Sequence, residues 1–177
     1  ITERRLITID EPKVPELRQL ATAMNSMVAR LKAMFEEEAS RLDAVRREAN
    51  CDALTGLANR NHFMARLHQA LMSENSRGIE LILIRVADLA GINRRQGREA
   101  TDELLRRFSG VVQALSAQSV DSLGARLNGA DFALLLIVRD SPRQQAEHLL
   151  HALAQEASPY VGDNPSVFIG LGSFPPG

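Results

Sequence analysis

From Glu16 to Asn50 the sequence holds neither glycine nor proline, and helix formers dominate it. That stretch constrains the chain more than any other feature, because it can only be one long helix. Its apolar positions Leu17, Leu20, Met24, Met27, Leu31 and Met34 alternate steps of three and four, as a heptad seam requires. Beyond Leu31 the better register runs through Phe35, Ala39, Leu42, Val45 and Ala49. Successive steps of four there mark a stutter, where a supercoil is locally unwound. Pro15 is tolerated in a first helical turn, and a helix from Lys13 to Asn50 is on the order of 57 Å long. A domain of this size needs no such rod. The helix either folds back on its own domain or lies against a second copy. The narrow stripe and charged remainder favour a parallel homodimer, seamed by Leu17, Leu20, Met24, Met27, Leu31, Phe35 and Leu42.

The other residues have the makings of one ordinary domain. Of the 177 residues 45% are hydrophobic, enough for a core, but only 4% are aromatic, so that core is aliphatic. A helix break falls at Leu54-Thr55-Gly56-Leu57, and Asn59 is placed to cap a second helix reaching about Asn75. Ile79 to Val86 reads as a central strand. A short helical piece at Leu89–Asn93 and a longer helix from about Glu99 to Ala117 follow. Strands are predicted around Leu123–Leu127 and Phe132–Val138, with Asn128-Gly129 as a hairpin turn signal between them. A helix over Pro142–Ala157 and a last strand over Val167–Gly172 complete the order β-α-α-β-β-α-β, an α+β, ferredoxin-like arrangement. Residues 1–12 read as an irregular lead-in with a short extended piece, Leu6–Ile9.

Several function classes are disfavoured at once. A net charge of −1 gives no basic field, which argues against a nucleic-acid partner. Cys51 is the single cysteine, so no intrachain disulfide forms. No Cys/His spacing suits zinc; His148 and His151, three apart, read as a solvated helix face. No apolar run approaches the roughly 18 residues of a membrane helix. The chain opens on Ile1 rather than Met and reads as an excised piece, so this says little about its parent.

Two segments carry a family resemblance. Asp52-Ala53-Leu54-Thr55-Gly56-Leu57-Ala58-Asn59-Arg60 resembles the D-x-L-T-G-L-x-N-R signature that opens GGDEF domains, the diguanylate cyclase fold. Arg126-Leu127-Asn128-Gly129-Ala130-Asp131-Phe132 stands where that family has R-x-G-G-D/E-E-F, and Ile84 to Leu105 lines up with the family's strand, loop and helix start. The resemblance spans roughly 52–174, short of the family's last helix and strand. Upstream, Asp10-Glu11 with Leu17 to Leu31 resembles the connector end and second helix of a HAMP module, and the continuation to Asn50 resembles a signalling helix. The implied organisation is a HAMP C-terminal part over 1–32, a signalling helix over 33–51 and a truncated, degenerate GGDEF domain over 52–177. This combination is similar to LapD-type receptors, inner-membrane proteins whose degenerate EAL domain binds cyclic di-GMP.

The substitutions decide the chemistry that the resemblance implies. Active members join two GTP molecules across a head-to-head dimer, with divalent metal on the phosphates. Their metal-binding aspartate at the end of the first strand falls here on Arg85. A guanidinium cannot ligate a cation, and two unit charges 4 Å apart repel by roughly 4 kcal/mol at an effective dielectric near 20. Alternatively, Arg85 replaces the metal and holds a phosphate directly. The two hairpin acids become Ala130 and Asp131, and the first glycine becomes Asn128, whose side chain intrudes on a ligand's path. Gly129 and Phe132 persist, as turn and core require. The family's phosphate-binding lysine falls on Ala90, and its product-inhibition motif on Ser119-Val120-Asp121-Ser122, with neither charged member in place. Asn93 and Asp102 match the family's guanine-reading pair; their alternative roles are a loop cap and a helix-start charge.

Three readings compete. In the first, the domain is a catalytically inactive relay between the stalk and a downstream EAL domain, in the cytoplasmic portion of an inner-membrane receptor for biofilm or adhesion control. It takes no metal or cofactor, and cyclic di-GMP binds elsewhere in the parent. In the second, it is a regulatory, GTP-binding module of a cyclic di-GMP phosphodiesterase, which an intact EAL catalytic set beyond Gly177 would favour. The third, a working cyclase with unusual metal ligation, is the weakest.

Overall fold

The computed structural model describes residues 15–72, 78–117, 121–137, 142–161 and 167–174. The lead-in with Leu6–Ile9 and Asp10-Glu11, together with Lys13, Ser119 and Val120, lies outside the described residues. Two compact units divide the chain, 1–49 and 50–177.

The described residues of the first unit all belong to helix α1, Pro15–Asn50, 36 residues in length. Leu17, Leu20, Met24, Met27, Leu31, Met34, Phe35, Leu42 and Val45 are all exposed on it in the single chain. The apolar stripe read from the sequence is therefore present and without cover in one copy. No described helix is long and apolar enough to cross a membrane.

In the second unit, a two-residue strand β1 (Ala58–Asn59) leads into α2 (Arg60–Leu71), and the Asn59 side chain caps that helix by accepting from the His62 N–H at 2.9 Å. Strand β2 (Ile79–Val86), helix α3 (Leu89–Ser116), hairpin strands β3 (Leu123–Arg126) and β4 (Asp131–Ile137), helix α4 (Pro142–Val161) and strand β5 (Val167–Phe174) follow. The sheet order is β1-β3-β4-β2-β5, with β2 antiparallel to both β4 and β5.

Period-two alternation sorts the sheet's side chains onto two faces. Ile82, Ile84, Val86, Phe132, Leu134 and Leu136 join Leu104, Leu105, Phe108 and Val112 of α3 and Leu149 and Leu153 of α4 in the larger core. The opposite face carries Ala125, Ala133 and Leu135 under Phe63 of α2. Strand β4 is covered on both faces, which is why its sequence reads as a continuous apolar run. Phe132 is fully buried in that core, its ring centroid 6.2 Å from that of Phe108.

The two helical pieces expected after β2 are both present, joined as one element, α3, across a kink at Gly97 (φ 85°, ψ 170°), a conformation that glycine adopts without penalty. Three expectations need correction. Strand β1 was absent from the sequence reading, because two residues carry no periodicity; it exists because Ala58 and Asn59 pair in parallel with Ala125 and Arg126. The last strand runs two residues past Gly172, to Phe174, where β2 still offers Glu80 and Ile79 as partners. Asn93 caps no loop: it lies within α3, whose cap is Asp88. The second helix is described only as far as Leu71 and its cap Met72, with 73–77 outside the described residues. His148 and His151 are exposed on α4, as expected.

Asp88 holds the start of α3 tightly. It adopts a left-handed conformation (φ 44°), and its Oδ1 accepts from the Gly91 N–H at 3.0 Å. A Cβ at Gly91 would stand 1.9 Å from Asp88 Oδ2. Gly91→Ala therefore displaces the cap, and with the helix preference of alanine offsetting part of the loss it lowers stability by up to about 1 kcal/mol, measured as an earlier urea midpoint at unchanged m-value.

Candidate functional site

Antiparallel register places Arg85, next to last in β2, directly opposite Asp131, the first residue of β4. Ile84 and Val86 turn into the larger core, so Arg85 projects from the other face, where its side chain is 67% exposed. The two meet as a fork: Arg85 Nε donates to Asp131 Oδ1 at 2.6 Å and Nη2 to Oδ2 at 2.8 Å. Asn128 Nδ2 also donates to Oδ2, at 2.7 Å. These donors hold the Asp131 carboxyl below the usual carboxylate range, with Arg85 the main cause. The carboxylate in turn pushes the Arg85 guanidinium up. Against the alternative in which Arg85 holds a phosphate, the Nε–Nη2 edge of its guanidinium is already engaged by Asp131.

The turn between the strands departs from the Asn-Gly expectation. A two-residue turn of that kind needs positive φ at both central residues, yet among the described non-glycine residues only Asp88 has positive φ, and among glycines only Gly56 and Gly97. The loop spans Leu127 to Ala130 and closes on the Asn128 side chain instead. Asn128 Oδ1 accepts from the N–H groups of Ala130 and Asp131, each at 3.0 Å. A Cβ at Gly129 would meet nothing within 4 Å, so the turn has no need of glycine there.

A second ion pair ties this turn to the segment following α1. Arg126, its side chain only 12% exposed, donates from Nη1 to Asp52 Oδ1 at 3.1 Å. It also donates from Nε to the Asn128 carbonyl at 3.1 Å and from Nη2 to the Gly129 carbonyl at 2.9 Å. Asp52 further accepts from the Thr55 N–H at 2.9 Å and hydroxyl at 2.7 Å. Burial pushes the Asp52 carboxyl up, but the Thr55 and Arg126 donors outweigh it and hold it below its ordinary value. Gly56, at φ 71°, makes the accompanying turn possible, its N–H bonding the Asp52 carbonyl at 2.8 Å. Arg126 is the residue that sequence reasoning undervalued. The signal was available, since its acidic partner stands in the other signature segment.

The remaining predicted residues are not drawn into this cluster. Asn93 is exposed on α3. Asp102 lies beyond the Gly97 break, partly exposed, with Arg98 Nε 3.7 Å from its Oδ2. No hydrogen bond joins the two. Ala90 is exposed and Asp121 sits in a turn, as expected. Among the described residues, no three His, Cys, Asp or Glu side chains are grouped to hold a metal ion.

A sequence profile described as "Diguanylate cyclase, GGDEF domain" matches residues 49–175. This chain belongs to the GGDEF family. The coiled coil and GGDEF domain of DgcB from Caulobacter crescentus, solved in complex with c-di-GMP, superimposes with a TM-score of 0.67 at 25% identity, covering 87% of this chain and 84% of that one. Diguanylate cyclase TpbB of Pseudomonas aeruginosa is 30% identical over 130 residues, 72% of this chain and 29% of TpbB. The S helix-GGDEF-EAL portion of Vibrio cholerae LapD, bound to c-di-GMP, shares the fold with a TM-score of 0.61 at 19% identity, over 77% of this chain and 32% of that one. The chain spans less than half the length of the first curated relatives it matches, 47% of one and 29% of the next. The fold is thus the α+β GGDEF palm with a long N-terminal helix, and the domain belongs to cyclic di-GMP signalling.

Proposed function

We propose that this GGDEF domain makes no cyclic di-GMP and serves as a relay. It passes signal between the N-terminal stalk and a downstream EAL domain, in the cytoplasmic portion of an inner-membrane receptor that controls biofilm or adhesion. In this reading residues 1–32 end a HAMP module, 33–51 form the signalling helix and 52–177 the degenerate GGDEF domain. The stalk pairs two copies, cyclic di-GMP is bound elsewhere in the parent, and no cofactor is taken here.

The carrying observation is the Arg85–Asp131 fork. Phosphoryl transfer between nucleotides needs divalent metal held by carboxylate oxygens and a base for the attacking hydroxyl. The residues present do not fit that metal. Both oxygens of Asp131 accept hydrogen bonds from side chains of the same chain, and the strand position opposite it carries a guanidinium. Ala130, the other hairpin position, has no ligating atom. Asp88 and Asp102 also have arginines beside them, Arg95 at 3.1 Å and Arg98 at 3.7 Å. The exposed stripe on α1 supports the stalk dimer, and the likeness to LapD's S helix-GGDEF-EAL portion supports the wider architecture.

The test is chromatography of products after incubating the chain with GTP and Mg²⁺ or Mn²⁺. No cyclic di-GMP is expected. Product that appears, and is abolished by Asp131→Ala, overturns the proposal.

A further inference from the structure

The polar groups of the hairpin turn are satisfied almost entirely by the chain itself. The Leu127 and Asn128 N–H groups donate to the Asp131 carbonyl at 2.8 and 3.4 Å, and the Ala130 carbonyl accepts from the Val86 N–H at 2.9 Å. The Ala130 and Asp131 N–H groups go to Asn128 Oδ1, and the Asn128 and Gly129 carbonyls to Arg126. The Asp131 carboxylate goes to Arg85 and Asn128. Two kinds of group that a metal–nucleotide complex needs are taken here. One is a pair of successive backbone N–H donors, the usual cradle of an anionic oxygen. The other is a carboxylate, the usual anchor of a hard cation.

We infer that the hairpin turn is self-liganded: the Asn128 side-chain oxygen occupies the place of an anionic oxygen on the Ala130 and Asp131 amides, and the Arg85 guanidinium the place of a cation on Asp131. The inference rests on the non-catalytic reading above and goes further, because it assigns these two substitutions a positive role. A turn that depends on bound nucleotide and metal is ordered only when they are present. This turn is ordered at all times, so a module that relays conformation presents one fixed hairpin whatever the nucleotide level. Arg85 and Asn128 act as positioning residues.

Both substitutions are needed for this and they act on different atoms. Asn128 bonds amides that Arg85 cannot reach, since a guanidinium has no acceptor. Arg85 supplies the charge that an amide lacks. The fork also joins β2 to the first residue of β4, across the strand pair that bounds the turn.

Hydrogen exchange on the full chain, with Mn²⁺ alone and with Mn²⁺ plus GTP as probes, tests the inference. In the native chain, the Leu127, Ala130 and Asp131 amides should exchange slowly and at the same rate with and without either probe. Asn128→Gly should speed exchange at Ala130 and Asp131 by about tenfold, the loss of one hydrogen bond of ordinary strength. Arg85→Gln, a shorter and uncharged side chain at an exposed position, should loosen the turn while leaving the urea midpoint of the domain nearly unchanged. Arg85→Asp should set two carboxylates opposite each other and make turn exchange slow down on addition of Mn²⁺, with a matching fall in the free-ion electron spin resonance signal. A native turn that slows with Mn²⁺ or with GTP refutes the inference. So does an exchange rate unchanged in both Asn128→Gly and Arg85→Gln. That second result leaves the non-catalytic reading standing, whereas cyclic di-GMP made by the native chain removes that reading itself.

Discussion

The double variant Leu31→Glu/Phe35→Glu is expected to sediment as a monomer where the native chain sediments at twice its 19.5 kDa. Leu31 and Phe35 stand at the stutter of α1, and in the single chain they are 42% and 52% exposed. Burying such a side chain against a partner helix contributes about 1.5–3 kcal/mol. A parallel pair buries each residue in both copies, and at about half exposure each gains about half of that, so replacing both removes on the order of 3–6 kcal/mol, at least about a hundredfold in Kd. Glutamate is itself a good helix former, so α1 keeps its helical content in the variant, and circular dichroism separates a lost seam from a lost helix. The native Cys51, directly after Asn50, reports the direction of the pair. Parallel copies bring the two thiols to one end for a short bismaleimide, whereas antiparallel copies put them roughly 54 Å apart, the length of a 36-residue helix. A native chain that sediments at 19.5 kDa at tens of micromolar defeats the stalk-dimer proposal.

How far the sequence was legible follows the range of the physics involved. The long helix, the cap at Asn59 and the buried strand β4 are local, periodic or compositional, and each appears where the pattern put it. Parallel pairing of Ala58 and Asn59 is neither, since its partners lie at Ala125 and Arg126. The turn shows the same limit at closer range. Asn128-Gly129 signals a tight left-handed turn by its backbone preferences. The Asn128 side chain satisfies the Ala130 and Asp131 amides instead, and with them bonded the backbone has no reason to enter the left-handed region. At the candidate site the resemblance implied that Arg85 stands where the family has an aspartate. Its partnership with Asp131 is set by strand register, and its bidentate geometry by a contact between residues 46 positions apart, which local pattern does not encode.

Arg126→Ala is expected to destabilise the domain by about 2–3 kcal/mol near neutral pH. The variant removes a mostly buried cation that bonds the Asp52 carboxylate and two turn carbonyls, and it leaves those acceptors short of donors. Breaking such a pair from one side costs about 3–5 kcal/mol when the survivor is fully buried. Asp52 is 27% exposed and keeps its Thr55 donors, so the lower end applies. The pH dependence has a definite sign. The folded-state pKa of Asp52 is depressed, so the stability drawn from its ionised form is fully present above the unfolded value of about 3.9 and is lost as pH falls through the folded value. Acidification to about pH 3 should therefore narrow the gap between native and variant without closing it, because the bonds from Arg126 to the Asn128 and Gly129 carbonyls do not titrate. Urea unfolding of both proteins at the two pH values measures this directly. Equal midpoints at neutral pH would mean that the strap between the segment after α1 and the hairpin carries no load. A gap that widens in acid would mean that Asp52 is not the carboxylate responsible.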